Sequence, residues 1–287
     1  MLTRERIEQY LNTKFPHTAI KFLGSGWTTW AFGVGNDVFR FSRQSVNPYI
    51  RESAILDIVR EYTRVPVPRL EIIQDGEFNY ARHHMLIGHY IDPATYDKWP
   101  VTRRKKFASD CAAFLYDIHQ IPRNRLTHIG PPTSNSPKPH HRSKDDVYPL
   151  LLRHIPMETL DKIYQKYLIA CDTFVPDPVF LHKDFEGKNF VVTDDFRLGG
   201  VFDFGNSAIG DRTREFAFLY NPIYPKFLND LLDAYETISG IRIQMDYIRA
   251  YMLRSIINSM PELYSPELAD IQASVVESRC KKILFFQ

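Results

Sequence analysis

The chain has 287 residues, 44% of them hydrophobic, enough to bury a sizeable core in one large unit or two smaller ones. A formal net charge of +2 gives no electrostatic case for nucleic acid or an anionic membrane as the main partner. Three widely spaced cysteines, Cys111, Cys171 and Cys280, include no CxxC pair, which argues against a disulfide framework or a zinc site and fits a reducing cytoplasm.

In chain order, Thr3 caps a short helix with Ile7 and Leu11 on one face. This charged start lacks the apolar core of a signal peptide, and no apolar run reaches the roughly 18 residues needed to span a membrane. Strands are predicted over 20–23 and 27–34, joined by a turn at Gly24-Ser25-Gly26 whose bare amides suit a phosphate. Such glycine turns also join ordinary hairpins. A third strand, Val38 to Phe41, puts Val38 and Arg40 on one face and Phe39 and Phe41 on the other. That face has the form of a nucleotide floor, an apolar residue for a base and a cation for phosphates, although Arg40 would also be content in solvent.

Helical spacing of Ile50, Ala54, Ile55, Ile58 and Val59 predicts a helix over 47–63. Its Glu52 is either a surface charge or the partner that holds Arg40. Strands are then expected over 70–73 and 84–87 around a turn at Asp75-Gly76, completing a mostly antiparallel sheet. Gly88 to Pro93 should cross into a second, helical unit, which sets the expected division at 1–91 and 92–287. His89, Tyr90 and Ile91 are named as purine contacts from their order in the chain alone.

The helix over 104–121 carries a core stripe of Phe107, Cys111, Phe114, Leu115 and Ile118, with His119 packed rather than catalytic. Residues 131–146 form a Pro/Ser/basic loop, whose His140-His141 pair has no further metal ligands. Helices are expected over 147–155, 157–174, 224–239, 245–259 and 266–285.

Between them lies the densest stretch, 180–205, FLHKDFEGKNFVVTDDFRLGGVFDFG. Two short apolar runs around Asp194 to Arg197 read as a hairpin, which returns Asp203 towards Asn189 and Asp184. His182-x-Asp184, then Asn189 five residues on, then Asp203-Phe204-Gly205 is the ordered kinase signature: a base, followed by an amide and a carboxylate as hard oxygen ligands for Mg²⁺.

With Val201-Phe202-Asp203-Phe204-Gly205, Gly210-Asp211 before Glu215, and Leu115 to Pro122, the chain resembles the aminoglycoside phosphotransferase family over about 20–219. That family is a branch of the protein-kinase-like fold that also includes choline, homoserine and macrolide kinases. The resemblance implies an α+β, bilobal enzyme with an N-terminal antiparallel sheet and a larger helical C-terminal lobe. It further implies Mg²⁺ with ATP or GTP, and phosphorylation of a small-molecule hydroxyl, an aminoglycoside first and a metabolite such as choline or a sugar alcohol second. Asp184 takes the base position, Asn189 and Asp203 the metal positions, and Arg40 with Glu52 the phosphate-positioning pair. Lys183, Arg40 and Glu215 depart from the family's usual Gly, Lys and Asp. A nucleotide-binding regulator without turnover is the alternative of another class, with Arg40 and Lys183 as its lesions. Gly210 comes only five residues after Gly205, which leaves no room for a peptide-binding activation loop. Polycationic acceptors would need carboxylates, for which Asp230, Asp233, Glu236, Asp246, Glu262 and Glu267 are the candidates, each equally at home on a solvated helix face.

Overall fold

The structure is a computed structural model that describes residues 2–25, 29–43, 48–127, 142–172, 177–221, 223–263 and 269–284, the side chains of 261–275 excepted. Gly26 and the His140-His141 pair lie outside the described residues.

Helix α1 (Arg4–Lys14) starts where the Thr3 hydroxyl accepts the Arg6 amide, and its Ile7 and Leu11 are fully buried. It packs against an antiparallel sheet of β1 (Ile20–Ser25), β2 (Thr29–Val34), β3 (Asp37–Ser42), β4 (Glu71–Asp75) and β5 (Phe78–His84), in the order β1-β2-β3-β5-β4. One face is lined by Phe32, Phe39, Phe41 and Tyr80, whose rings pack edge-on or tilted and so form a small core with α1. The opposite face carries Val38 and Arg40, as the two-residue period of β3 demands. Helix α2 (Tyr49–Tyr62) crosses behind it with Ile55, Leu56, Ile58 and Val59 buried.

Two expectations shift. Gly24 and Ser25 belong to β1, paired with Ala31 and Trp30 across a register irregularity, and the residues between Ser25 and Thr29 lie outside those described. The fifth strand comes earlier than 84–87, at Phe78–His84, because pairing Arg40 with Ala81 and Phe41 with Tyr80 seats Tyr80 on the aromatic core.

The helical lobe begins with α3 (Pro93–Lys98), capped by the Asp92 carboxylate, and α4 (Val101–His119). Its central core joins α4 to α8 (Lys226–Ser239) and to two short ribbons. One ribbon pairs β6 (Pro178–Leu181) with β9 (Ala208–Asp211); the other pairs β7 (Phe190–Val192) with β8 (Leu198–Val201). A second core unites α5 (Lys144–Leu151), α6 (Met157–Asp172), α9 (Met245–Leu263) and α10 (Ala269–Leu284), while α7 (Thr213–Ala217) packs on α9. All three cysteines are buried and free. Among the described residues no helix is long and apolar enough to cross a membrane.

Between sheet and helices, the His89 N–H and C=O both bond to Val192, stitching the crossing segment to β7. Gly88 makes this possible. Its φ is +144°, and a Cβ there would lie 2.7 Å from the Val192 oxygen and 2.9 Å from the Val191 Cβ.

Candidate active site

A ring of hydrogen bonds builds the catalytic loop. His182, fully buried, donates from Nε2 to the Phe202 carbonyl (2.9 Å) and accepts the Asp184 amide at Nδ1 (3.3 Å), which fixes its tautomer. Asn189 donates from Nδ2 to the Asp184 carbonyl (2.8 Å), and the Asn189 carbonyl accepts the Phe202 amide (3.0 Å). Asp184, Asn189 and the segment entering Asp203 are thereby closed into one loop, the convergence expected of the 189–203 hairpin. The hairpin is held to α4 by Arg197, whose guanidinium makes two bonds to Asp110 (2.5 and 2.6 Å).

Glu215 supports this loop from below. Fully buried on α7, it accepts the His182 amide (2.7 Å) and the Lys183 amide (2.9 Å), one on each carboxylate oxygen. It also lies 3.8 Å from His119 Nε2. Burial lowers the His119 pKa despite that carboxylate, and its Nδ1 is 2.8 Å from the Tyr235 hydroxyl. His119 is therefore packed and hydrogen-bonded, as expected. Lys183 and Asp203 both take left-handed backbone angles, φ 69° and 66°, which the neighbouring bonds must hold in place.

The charged pair read from the sequence is formed. Arg40 reaches Glu52 at 2.7 Å and Asp203 at 3.3 Å, and Glu52 also accepts the Phe204 amide (3.2 Å). Glu52 is no surface charge, being 2% exposed. Burial opposes the Arg40 charge, but Glu52 and Asp203 more than offset it and raise its pKa. Arg51 adds a second tie from α2, donating to the Gly205 carbonyl (3.0 Å) and the Ser207 carbonyl (2.6 Å). Phe204 is buried against His182 and Phe114. The Asp203 turn thus hangs from the upper lobe by Arg40, Arg51 and Glu52.

Burial pushes the Asp184 carboxyl up to about 7, with Glu186 and Asp203 adding to the rise and Lys188, 3.8 Å away, opposing it. That is where a general base working near neutrality should titrate. With its Nδ2 bonded to the Asp184 carbonyl, Asn189 could offer its side-chain oxygen to a metal, and the Asp203 side chain is 43% exposed. One amide oxygen and one carboxylate suit Mg²⁺, which fills the rest of its shell with water and phosphate oxygens.

Val38 and Arg40 share the sheet face, and Gly24 and Ser25 lie at the end of β1. Tyr90 is exposed and Ile91 buried in the crossing segment, whereas both backbone groups of His89 are already bonded to Val192. Of the acids considered for a polycation, Asp230 is taken up by Tyr96 (3.0 Å) and Arg104 (3.3 Å). Asp233, Glu236 and Asp246 line a cavity of about 580 Å³ together with Arg242, and all its lining comes from α8, α9 and their connection. Glu262 and Glu267 lie outside the described side chains. The sequence reading missed Arg51, Ser207 and Arg214, which follow no motif.

The fold has counterparts among solved structures. Over its full length the fold matches a GDP complex of a mutant aminoglycoside 2'-phosphotransferase-IIIa, with TM-score 0.77, 18% identity, and 99% and 96% of the two chains covered. A streptomycin–ATP ternary complex of APH(2")-IIa matches with TM-score 0.63 at 18% identity, covering 99% of each chain. Macrolide 2'-phosphotransferase type I matches with TM-score 0.67 at 18% identity, covering 99% and 98%. The model of the phosphotransferase enzyme family matches residues 19–251, and the chain belongs to that family.

Proposed function

We propose that this protein is a small-molecule kinase that transfers the γ-phosphoryl group of ATP or GTP to an acceptor hydroxyl. The observation that carries the reading is the hydrogen-bonded loop uniting Asp184, Asn189 and Asp203 beside the Arg40–Glu52 pair. Gly24, Ser25, Val38, Arg40 and Glu52 would form the nucleotide site, with Tyr90 and Ile91 at the crossing and the lobes divided at residue 91. Backbone groups alternate in direction along an extended segment, so with His89 facing Val192 the base falls to its neighbours. Gly26 is retained from the sequence as part of the phosphate turn.

Asp184 accepts the acceptor's hydroxyl proton as the oxygen forms its bond to the γ-phosphorus and the bond to the β–γ bridging oxygen breaks, releasing ADP or GDP. Asn189 and Asp203 would hold Mg²⁺, which supplies charge neutralisation for the phosphate oxygens. Arg40, kept cationic and aimed by Glu52, orients the phosphates. The free, buried cysteines support a cytoplasmic setting.

An aminoglycoside acceptor draws its support from the proteins of similar fold. A metabolite acceptor is the second reading, favoured by Lys183, a cation next to the base in the chain. Coupled ADP or GDP release over a panel of hydroxyl compounds, repeated with Asp184→Asn, tests the activity. Turnover that survives Asp184→Asn unchanged would refute the role given to that residue.

A further inference from the structure

The segment after Asp203 runs back antiparallel to β6, with Leu181 opposite Ala208, so the next position in register brings Ser207 beside His182. The segments that carry Ser207, Arg51, Lys183 and Arg214 are tied together here, by Arg51 on the Ser207 carbonyl and by Glu215 on the Lys183 amide. Ser207 is fully buried and its hydroxyl has no partner among the described residues. Arg51 spends its terminal nitrogens on the Gly205 and Ser207 carbonyls, yet its buried Nε has no partner among the described residues. Arg214 precedes Glu215, the residue that grips the Lys183 amide. Its Nε is likewise buried without a partner, and its guanidinium lies 5.9 Å from the Tyr251 ring centroid. Lys183 makes no ion pair among the described residues. Burial, then Arg214 and Arg51, bring its pKa down to about 8 against the opposing pull of Asp184.

The acids at hand are already committed. Glu215 is bonded to two amides, Glu186 is paired with Lys188, and Asp184 is the base. Leaving a buried donor unmatched costs free energy, and crowding cations without counter-charge costs more. A bound oxyanion removes both costs.

We propose that Lys183, Arg51, Arg214 and Ser207 form an oxyanion site beside Asp184 that takes a phosphate or carboxylate group carried by the acceptor itself. This rests on the kinase reading and takes the second of its two acceptor readings, the metabolite, over the aminoglycoside: the substrate is an anionic hydroxyl compound, such as a hydroxy acid or a sugar phosphate. Charge-assisted bonds from a guanidinium or ammonium to the anion fix the molecule, and its neighbouring hydroxyl is left at Asp184.

The test measures ADP or GDP release with kanamycin, glucose, glycerate and glucose 6-phosphate, for the wild type and for Lys183→Met, Lys183→Arg and Arg214→Gln. The proposal expects the anionic acceptors to be preferred. Lys183→Met and Arg214→Gln should raise their KM by about 10- to 100-fold while the nucleotide KM holds, and Lys183→Arg should keep most of the affinity. Transfer confined to kanamycin or glucose, or an anionic KM that these variants leave unmoved, overturns the proposal and leaves the kinase standing. If no acceptor turns over, inorganic phosphate is titrated calorimetrically into the wild type and Lys183→Met. Binding lost in the variant would assign the site to a free anion and overturn the acceptor assignment; binding equal in both, or absent, overturns the site itself. The kinase reading is judged apart, by whether nucleotide binding depends on Mg²⁺ and Asp203.

Discussion

The two sides of the catalytic loop handle charge in opposite ways. Towards the sheet, Arg40 is shared between Glu52 and Asp203, and Glu52 is shared between Arg40 and the Phe204 amide, so each buried charge has a stated partner. On the other side, the Arg51 and Arg214 Nε atoms and the Ser207 hydroxyl are buried with no partner among the described residues, and Lys183 makes no ion pair there. The first arrangement is complete before any ligand arrives, as pre-organisation requires. The second is unfinished, and unfinished polar clusters in a folded protein are where a ligand's own charge is expected.

The contrast can be tested at graded strength. The largest effect should come from Asp184→Asn, which removes the proposed base lying between the two sides. Turnover should fall by roughly 10²- to 10⁴-fold with nucleotide affinity little changed, as read by single-turnover transfer and nucleotide titration. Next, Arg40→Met leaves Glu52 buried and uncompensated. A loss of about 3–5 kcal/mol in urea unfolding is expected, together with a raised nucleotide KM; a stable variant would show that the pairing is not complete as drawn.

A smaller effect has the opposite sign. In the metal-free protein Asp184 titrates near 7, whereas an unfolded aspartate titrates near 3.8. Between those values the unfolded chain sheds a proton that the folded chain keeps, so stability drains away as pH rises through the window and stays reduced above it. Asp184→Asn should therefore stabilise the metal-free protein at neutral pH by about 1–3 kcal/mol, with no gain below about pH 4. For the same reason turnover should climb as pH passes through the neutral range. The smallest change is Asp110→Asn, which loosens the hairpin on α4. Because Arg197 is half exposed, about 1 kcal/mol is expected in the same urea assay, with the Arg40 cluster undisturbed.

What the sequence made legible follows from how local each signal was. The base, the amide and the second carboxylate lie within twenty residues, on a loop and a hairpin whose turn residues announce it, and the two-residue period of β3 set Arg40 facing away from Phe39. The fifth strand was misplaced because the apolar run Met85-Leu86-Ile87 resembles a strand. The true one, Phe78–His84, has Tyr80, Ala81 and His83 all buried and so shows no alternation. The cation cluster left no trace in the sequence. Its members come from α2, the catalytic loop, the segment after Asp203 and α7, and only the β6–β9 pairing and the Glu215 contacts bring them together. Lys183 was conspicuous as a departure next to the base, but a single lysine does not announce its neighbours.

Gly88 has one more implication. With no space at its α-carbon and a backbone angle that side chains resist, position 88 is closed to natural variation as long as the strip it belongs to stays sewn to β7. Were the crossing segment to receive the base as proposed, a laboratory library aimed at altered triphosphate choice should randomise Ile87 and Tyr90 while leaving the glycine alone.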